Sequence, residues 1–118
     1  MSELRVLVVD DEDDVRGLVR YLLQQTEGFE VVGEAANGRE AVDLVAAERP
    51  DIVLLDLRMP VMDGADAIPA IRERSPDTRI VVFTADQTAE VEGVDAQVIK
   101  GASMAEVLSS LAEAPSRR

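Results

Sequence analysis

The chain has 118 residues, of which 24 are acidic and 12 basic, so its formal net charge at pH 7 is −12. It contains no cysteine and no histidine, which excludes disulfides, zinc sites built on thiolate or imidazole, and a Ser-His-Asp triad. A surface this acidic should repel nucleic acid and anionic membranes, and the first residues have no signal-peptide pattern, so we expect a cytoplasmic domain that binds proteins, hard cations or small ligands.

Apolar, largely β-branched runs alternate along the chain with helical patterns. The runs predict five strands, at residues 5–9, 31–35, 52–55, 79–83 and 96–99. The third run is apolar at every position, which is typical of a central strand covered on both faces.

Helical patterns occupy most of the intervening segments. The first has its apolar face between residues 15 and 23, and we expect Gly28 to close that helix. Asn37 should cap the second helix. The third helix is predicted at 65–74, with Pro69 in its first turns, and a last helix presents apolar residues from 104 to 111.

This alternation predicts one α/β domain over residues 1–118, with a doubly wound parallel sheet of five strands and a disordered tail at 114–118. Only twelve residues, 84–95, link the fourth and fifth strands, and they include Gly93. A complete crossover needs at least about 10–12 residues, so the helix in this segment should be short or irregular.

Polar residues follow four of the five strands. Asp10 and Asp11 come after the first, Asp56 after the third, Thr84 after the fourth and Lys100 after the fifth. In an open doubly wound sheet, ligands bind beyond the carboxyl ends of the strands. We therefore expect three carboxylates, a hydroxyl and an ammonium to meet at one edge.

These residue types favour phosphoryl transfer to a carboxylate. Clustered carboxylates without histidine or cysteine select a hard cation such as Mg²⁺. Asp56 can act as a nucleophile and form an acyl phosphate, while the metal and Lys100 neutralise the charge that builds up.

The residues around these positions also resemble the receiver domains of two-component response regulators. The segments that carry the resemblance are Leu7-Val8-Val9-Asp10-Asp11, Leu55-Asp56-Leu57-Arg58-Met59-Pro60-Val61-Met62-Asp63-Gly64, Phe83-Thr84-Ala85 and Ile99-Lys100. Within them, Asp-x-x-Met-Pro-x-x-Asp-Gly is highly specific. The resemblance implies a flavodoxin-like strand order, 2-1-3-4-5, and a Mg²⁺ cofactor.

For the metal, the resemblance implies that Asp11 and Asp56 are direct ligands and that Asp10 acts largely through water. The backbone carbonyl of Arg58 would be the remaining protein ligand.

For the phosphoryl group, the resemblance implies that Asp56 is the acceptor, Thr84 the switch hydroxyl and Lys100 the pairing cation. Arg58 and Asp86 lie two residues after Asp56 and Thr84. We expect both to flank the phosphate and to modulate its lifetime.

The implied donor is a histidine kinase or a histidine phosphotransfer protein, and the implied output is contact with a further protein. The chain would catalyse only its own phosphorylation and dephosphorylation. It departs from the family pattern at Gln97, where an aromatic residue is usual, and at Gly101, where proline usually follows the lysine. Gln97 therefore predicts an atypical output face.

Two other functions stay open at this point. A phosphatase of the haloacid dehalogenase type also uses an aspartate nucleophile, but it needs an acid two residues later, where this chain has Arg58. A binding module with vestigial phosphorylation would explain Gln97 but not the intact acid, Thr84 and Lys100 set. The chain could also be a fragment of a longer regulator.

Overall fold

The computed structural model describes residues 3–85 and 91–114. Its centre is a parallel sheet in the order β2-β1-β3-β4-β5, which confirms the predicted topology. The strands are β1 Leu4–Val9, β2 Phe29–Ala35, β3 Ile52–Leu55, β4 Arg79–Thr84 and β5 Ala96–Ile99.

The described residues contain four helices, α1 Asp13–Gln25, α2 Gly38–Glu48, α3 Gly64–Arg74 and α4 Met104–Glu113. Asn37 caps α2 as predicted, because its side chain accepts a hydrogen bond from the backbone N–H of Glu40. Asp63 caps α3 in the same way, and Pro69 lies inside that helix. None of these helices is long and apolar enough to cross a membrane.

The end of α1 differs from the prediction. The helix ends at Gln25, and Thr26 rather than Gly28 is its C-cap. Gly28 lies in the turn that leads to β2, with φ +96°. This turn requires a positive φ at Gly28, a backbone conformation that residues with a side chain rarely adopt.

The core has one layer on each face of the sheet. Val53 and Leu55 of β3 belong to the cluster that packs against α2 and α3, whereas Ile52 and Leu54 belong to the cluster against α1 and α4. All four are at most 1% exposed. Burial on both faces explains why the sequence of β3 is uniformly apolar.

Two predictions lie partly outside the described residues. Residues 86–90 of the segment between β4 and β5 are not described, and the described part, 91–95, contains no helix. Of the predicted disordered tail, Ala114 is buried and its carbonyl accepts a hydrogen bond from Arg79 Nη1 at 2.9 Å, so that part of the prediction is wrong. Residues 115–118 lie outside the description.

Candidate functional site

Three carboxylates meet at the carboxyl edge of the sheet. One oxygen from each of Asp10, Asp11 and Asp56 lies within 4.8 Å of the others. The sheet hydrogen bonding continues through two of these residues and fixes their backbone positions. Asp10 N donates to Ala35 O and Asp56 N donates to Val9 O, both at 3.0 Å. Asp10 is 2% exposed and Asp56 5% exposed, whereas Asp11 faces solvent.

Lys100 brings a positive charge to this cluster from the end of β5. Its Nζ lies 2.9 Å from Asp10 Oδ2, 3.2 Å from Asp56 Oδ2 and 3.3 Å from Glu12 Oε1. Its backbone N–H donates to Thr84 O at 2.8 Å, which fixes where the side chain begins. The ammonium thus lies among three carboxylates, of which those of Asp56 and Glu12 accept hydrogen bonds from it.

The protonation of Asp56 and Lys100 reflects this crowding. Burial, and then the charge of Asp10, raise the pKa of Asp56 to about 6, although Lys100 and the backbone N–H of Arg58 act in the opposite direction. Burial alone would lower the pKa of Lys100, but its contacts with Asp10 and Asp56 outweigh this and raise it. Above about pH 6 the carboxylate of Asp56 is therefore mostly ionised and lies beside an ammonium.

The donor set fits a divalent cation. Asp10 Oδ1 accepts a hydrogen bond from Glu12 N at 2.9 Å. Asp10 Oδ2 is the one buried side-chain polar atom of residues 3–85 and 91–114 without a hydrogen-bond partner, since its contact with Lys100 is an ion pair without hydrogen-bond alignment. Three carboxylates with one unsatisfied buried oxygen suit a hard cation such as Mg²⁺.

An open cavity of about 550 Å³ lies over these groups. Thr84, at the end of β4, is 3% exposed and lies on its wall. The lining residues are Asp11, Glu12, Asp56, Arg58, Thr84, Ala85 and Lys100. A small anion could therefore enter and reach the carboxylate of Asp56.

The family profile described as "Response regulator receiver domain" matches residues 6–110 of the chain. The chain belongs to this family. Receiver domains are the regulatory modules of two-component systems, and the family generally uses Mg²⁺ and undergoes phosphorylation.

Three relatives illustrate the similarity of this receiver domain to known proteins. The chemotaxis protein CheY of Thermotoga maritima is 42% identical over 94 residues, which cover 78% of each chain. A protein-glutamate methylesterase/protein-glutamine glutaminase of Alkalilimnicola ehrlichii is 44% identical over 82 residues, or 70% of this chain. A chain of the CheX–CheY–BeF₃–Mg²⁺ complex from Borrelia burgdorferi is 28% identical, with a TM-score of 0.85 over 93% of this chain and 87% of that one.

The relatives differ in how much of their length they share with this receiver domain. The chain spans only 21% of the length of the A. ehrlichii methylesterase. Its similarity to that enzyme thus concerns the receiver domain.

The other residues singled out in the sequence lie apart from the carboxylate cluster or outside the description. Gln97 is exposed on β5 and lines a second cavity, together with Ile99 and Gly101, rather than the one over Asp56. Asp86 is not among the described residues.

Glu12 is a residue at the site that the sequence analysis did not identify. Its carboxylate contacts Lys100 and lines the cavity. In the acidic run 10–14 it resembles any solvated acid at the start of a helix. Only the long-range contact with Lys100 distinguishes it.

Proposed function

We propose that this receiver domain accepts a phosphoryl group on Asp56, with Mg²⁺ as cofactor, from a histidine kinase or a histidine phosphotransfer protein. The observation that carries the proposal is the position of Asp56, which is buried beside Asp10 and paired with Lys100 under an open cavity. The relatives named CheY and the complex with BeF₃ and Mg²⁺ support the same function.

In the proposed reaction, an ionised oxygen of Asp56 attacks phosphorus, and the bond from phosphorus to the donor's imidazole nitrogen breaks as the new P–O bond forms. Lys100 exchanges one carboxylate contact for a phosphoryl oxygen, and Thr84 donates its hydroxyl proton in a hydrogen bond to another. Asp11, Asp56 and the carbonyl of Arg58 would hold Mg²⁺, with Asp10 acting through water. The bound cation would neutralise part of the negative charge shared by the acids and the phosphoryl group.

The chain would act only on its own phosphorylation state, and its output would be a change in the protein that it contacts. The exposed position of Gln97, where the family usually has an aromatic residue, supports an atypical output face. We propose that Arg58 and Asp86 modulate the lifetime of the phosphate.

A haloacid dehalogenase activity is disfavoured because the side chain two residues after Asp56 on the cavity wall is Arg58, which cannot supply the required proton.

Intact-mass spectrometry after incubation with acetyl phosphate and Mg²⁺ tests this function. One phosphoryl group should be added, and the addition should be absent with chelator and in Asp56→Asn. Asp43→Asn, an equal charge change on the exposed surface of α2, is the matched control and should be labelled normally. Full labelling of Asp56→Asn would contradict the assignment of the acceptor.

A further inference from the structure

The loop between β3 and α3 contains a turn that its own sequence does not favour. Met62 N donates to Pro60 O at 2.8 Å, which closes a three-residue turn with Val61 at its centre. Val61 has φ +69°, a conformation that is strained for a β-branched residue. Val61 is 81% exposed, so burial of its side chain does not compensate for the strain. Such a conformation persists only where the surrounding structure imposes it.

Backbone hydrogen bonds at both ends of the loop hold Val61 in this conformation. Gly38 N, at the start of α2, donates to Met62 O at 2.6 Å. Gly64 N, at the start of α3, donates to Leu57 O at 2.8 Å. Between these two anchors the chain has little freedom to relax the turn at Val61.

The anchor at α2 requires glycine for space. A Cβ on Gly38 would lie 2.5 Å from Met62 O and 2.9 Å from Asp63 O, closer than real Cβ atoms approach backbone. The φ of Gly38 is outside the left-handed region, so its conformation alone would admit a side chain. Glycine is required at this position because the backbone of α2 closely approaches the backbone of Met62 and Asp63.

Helix α2 and Asp63 are both held in place by other contacts. α2 is fixed by its buried residues Ala41 and Val45, both 0% exposed. Asp63 is fixed as the cap of α3, where its carboxylate accepts from Asp66 N at 3.1 Å. A methyl group on Gly38 would therefore displace the 57–62 turn.

That turn begins directly after Asp56 and includes Arg58, whose carbonyl is the metal donor proposed above. We propose that Gly38 is a positioning residue for phosphoryl transfer. By lacking a side chain, it lets the amino end of α2 hold the strained turn so that the carbonyl of Arg58 can bind the cation. This inference rests on the proposed function and adds a residue outside the cavity to it.

The test compares Gly38→Ala with Gly17→Ala. Gly17 lies within α1, and a Cβ there would have no atom within 4 Å, so it is the matched control. Calorimetric Mg²⁺ titration and the Mg²⁺ dependence of acetyl phosphate labelling are measured on proteins shown to be folded by circular dichroism. We expect Gly38→Ala to need at least about tenfold more Mg²⁺ for half-saturation, because loss of a contact that supports a metal ligand typically weakens binding by that much. The labelling rate of this variant should largely recover at saturating Mg²⁺. Gly17→Ala should match the wild type.

Amide hydrogen exchange on the wild type provides a second measurement if Gly38→Ala does not fold. Because coupling between sites is reciprocal, saturating Mg²⁺ should slow exchange at the Gly38 amide by at least about fivefold relative to the core amide of Val53. Unchanged relative exchange, or a folded Gly38→Ala protein that titrates within about twofold of wild type, would overturn the positioning role. A wild type that neither binds Mg²⁺ nor is labelled would overturn the proposed function, and this inference with it.

Discussion

Asp56 is the carboxylic acid whose ionisation the folded site opposes. Its pKa in the folded state is about 6, against an ordinary value of 3.8, because burial and Asp10 disfavour the charge. The folded state therefore binds this proton more tightly than the unfolded chain does. The resulting stabilisation is present below about pH 4 and is lost as the pH rises through about 6.

Replacing Asp56 by Asn should thus stabilise the metal-free protein at pH 8 but not at pH 4. We expect a gain of about 1–2 kcal/mol at pH 8, after discounting the shift for water in the open cavity. Urea unfolding in chelator, followed by circular dichroism, measures the difference at both pH values. Asp43→Asn should change stability by less than about 0.5 kcal/mol at either pH. An equal effect of Asp56→Asn at pH 4 and pH 8 would contradict this explanation.

Glu12 is one of the three carboxylates that lie close to Lys100, and it is the most exposed of them, at 61% of its side chain. Glu12→Gln should free Lys100 for an incoming phosphoryl oxygen and remove a charge that repels anionic donors. The initial rate of acetyl phosphate labelling should rise, by at most about fivefold, because exposed ion pairs contribute about 0–1 kcal/mol. Asp14→Asn, a similar charge change at an exposed position of α1, should have a smaller effect. Slower labelling in Glu12→Gln would show that Glu12 assists the reaction.

Among the helices and strands, the sequence predicted both bounds of the two short strands β3 and β5 correctly. β3 has the predicted bounds because its residues are apolar on both faces. β2 begins at Phe29, two residues before the predicted start. This extension depends on pairing with β1, where Leu4 lies opposite Phe29, and local residue patterns do not reveal such long-range pairing.

An arginine on α3 anchors the segment that leads to β5. Arg72 Nη2 lies 2.9 Å from Asp95 Oδ2, its Nη1 donates to Thr78 O at 2.8 Å and its Nε donates to Gly93 O at 3.1 Å. The carboxylate of Asp95 is only 6% exposed and also accepts from Ile80 N at 2.7 Å. One side chain thus ties α3 to the start of β4 and to the residues before β5.

Arg72→Met should be strongly destabilising because it removes the cation that lies 2.9 Å from the buried carboxylate of Asp95. The expected loss in unfolding free energy is about 3 kcal/mol. Arg74→Met removes the same charge from an exposed position in the same helical turn and should cost less than about 0.5 kcal/mol. Chemical denaturation of the two variants gives the comparison. A loss below about 1 kcal/mol in Arg72→Met would mean that water and the remaining partners of Asp95 stabilise its carboxylate sufficiently.

At the scale of the whole molecule, the net charge of −12 opposes compaction, and the carboxylate cluster concentrates part of that repulsion at one sheet edge. The composition predicted the acidic surface, and the strand ends indicated which acids would meet. The arrangement of acceptors around Lys100 and the close approach at Gly38 could not be predicted, because both depend on distances between segments far apart in sequence.

Mg²⁺ should therefore stabilise the fold in two separable ways, by general screening and by binding at the cluster. At constant ionic strength only the stabilisation by binding at the cluster remains. When the Mg²⁺ concentration is ten times the dissociation constant, this binding adds about 1.4 kcal/mol to the unfolding free energy, or about 5 °C to the melting temperature of a domain of this size. Asp11→Asn should abolish most of this rise. Since Asp11 is exposed and close to like charges, the variant's stability without metal should be equal to or above that of the wild type. Scanning calorimetry in buffers where NaCl replaces MgCl₂, with Asp43→Asn as the charge-matched control, distinguishes the two effects. If Mg²⁺ raised the melting temperature of Asp11→Asn as much as that of the wild type, the ion would be acting on the charge of the whole surface and not at Asp11.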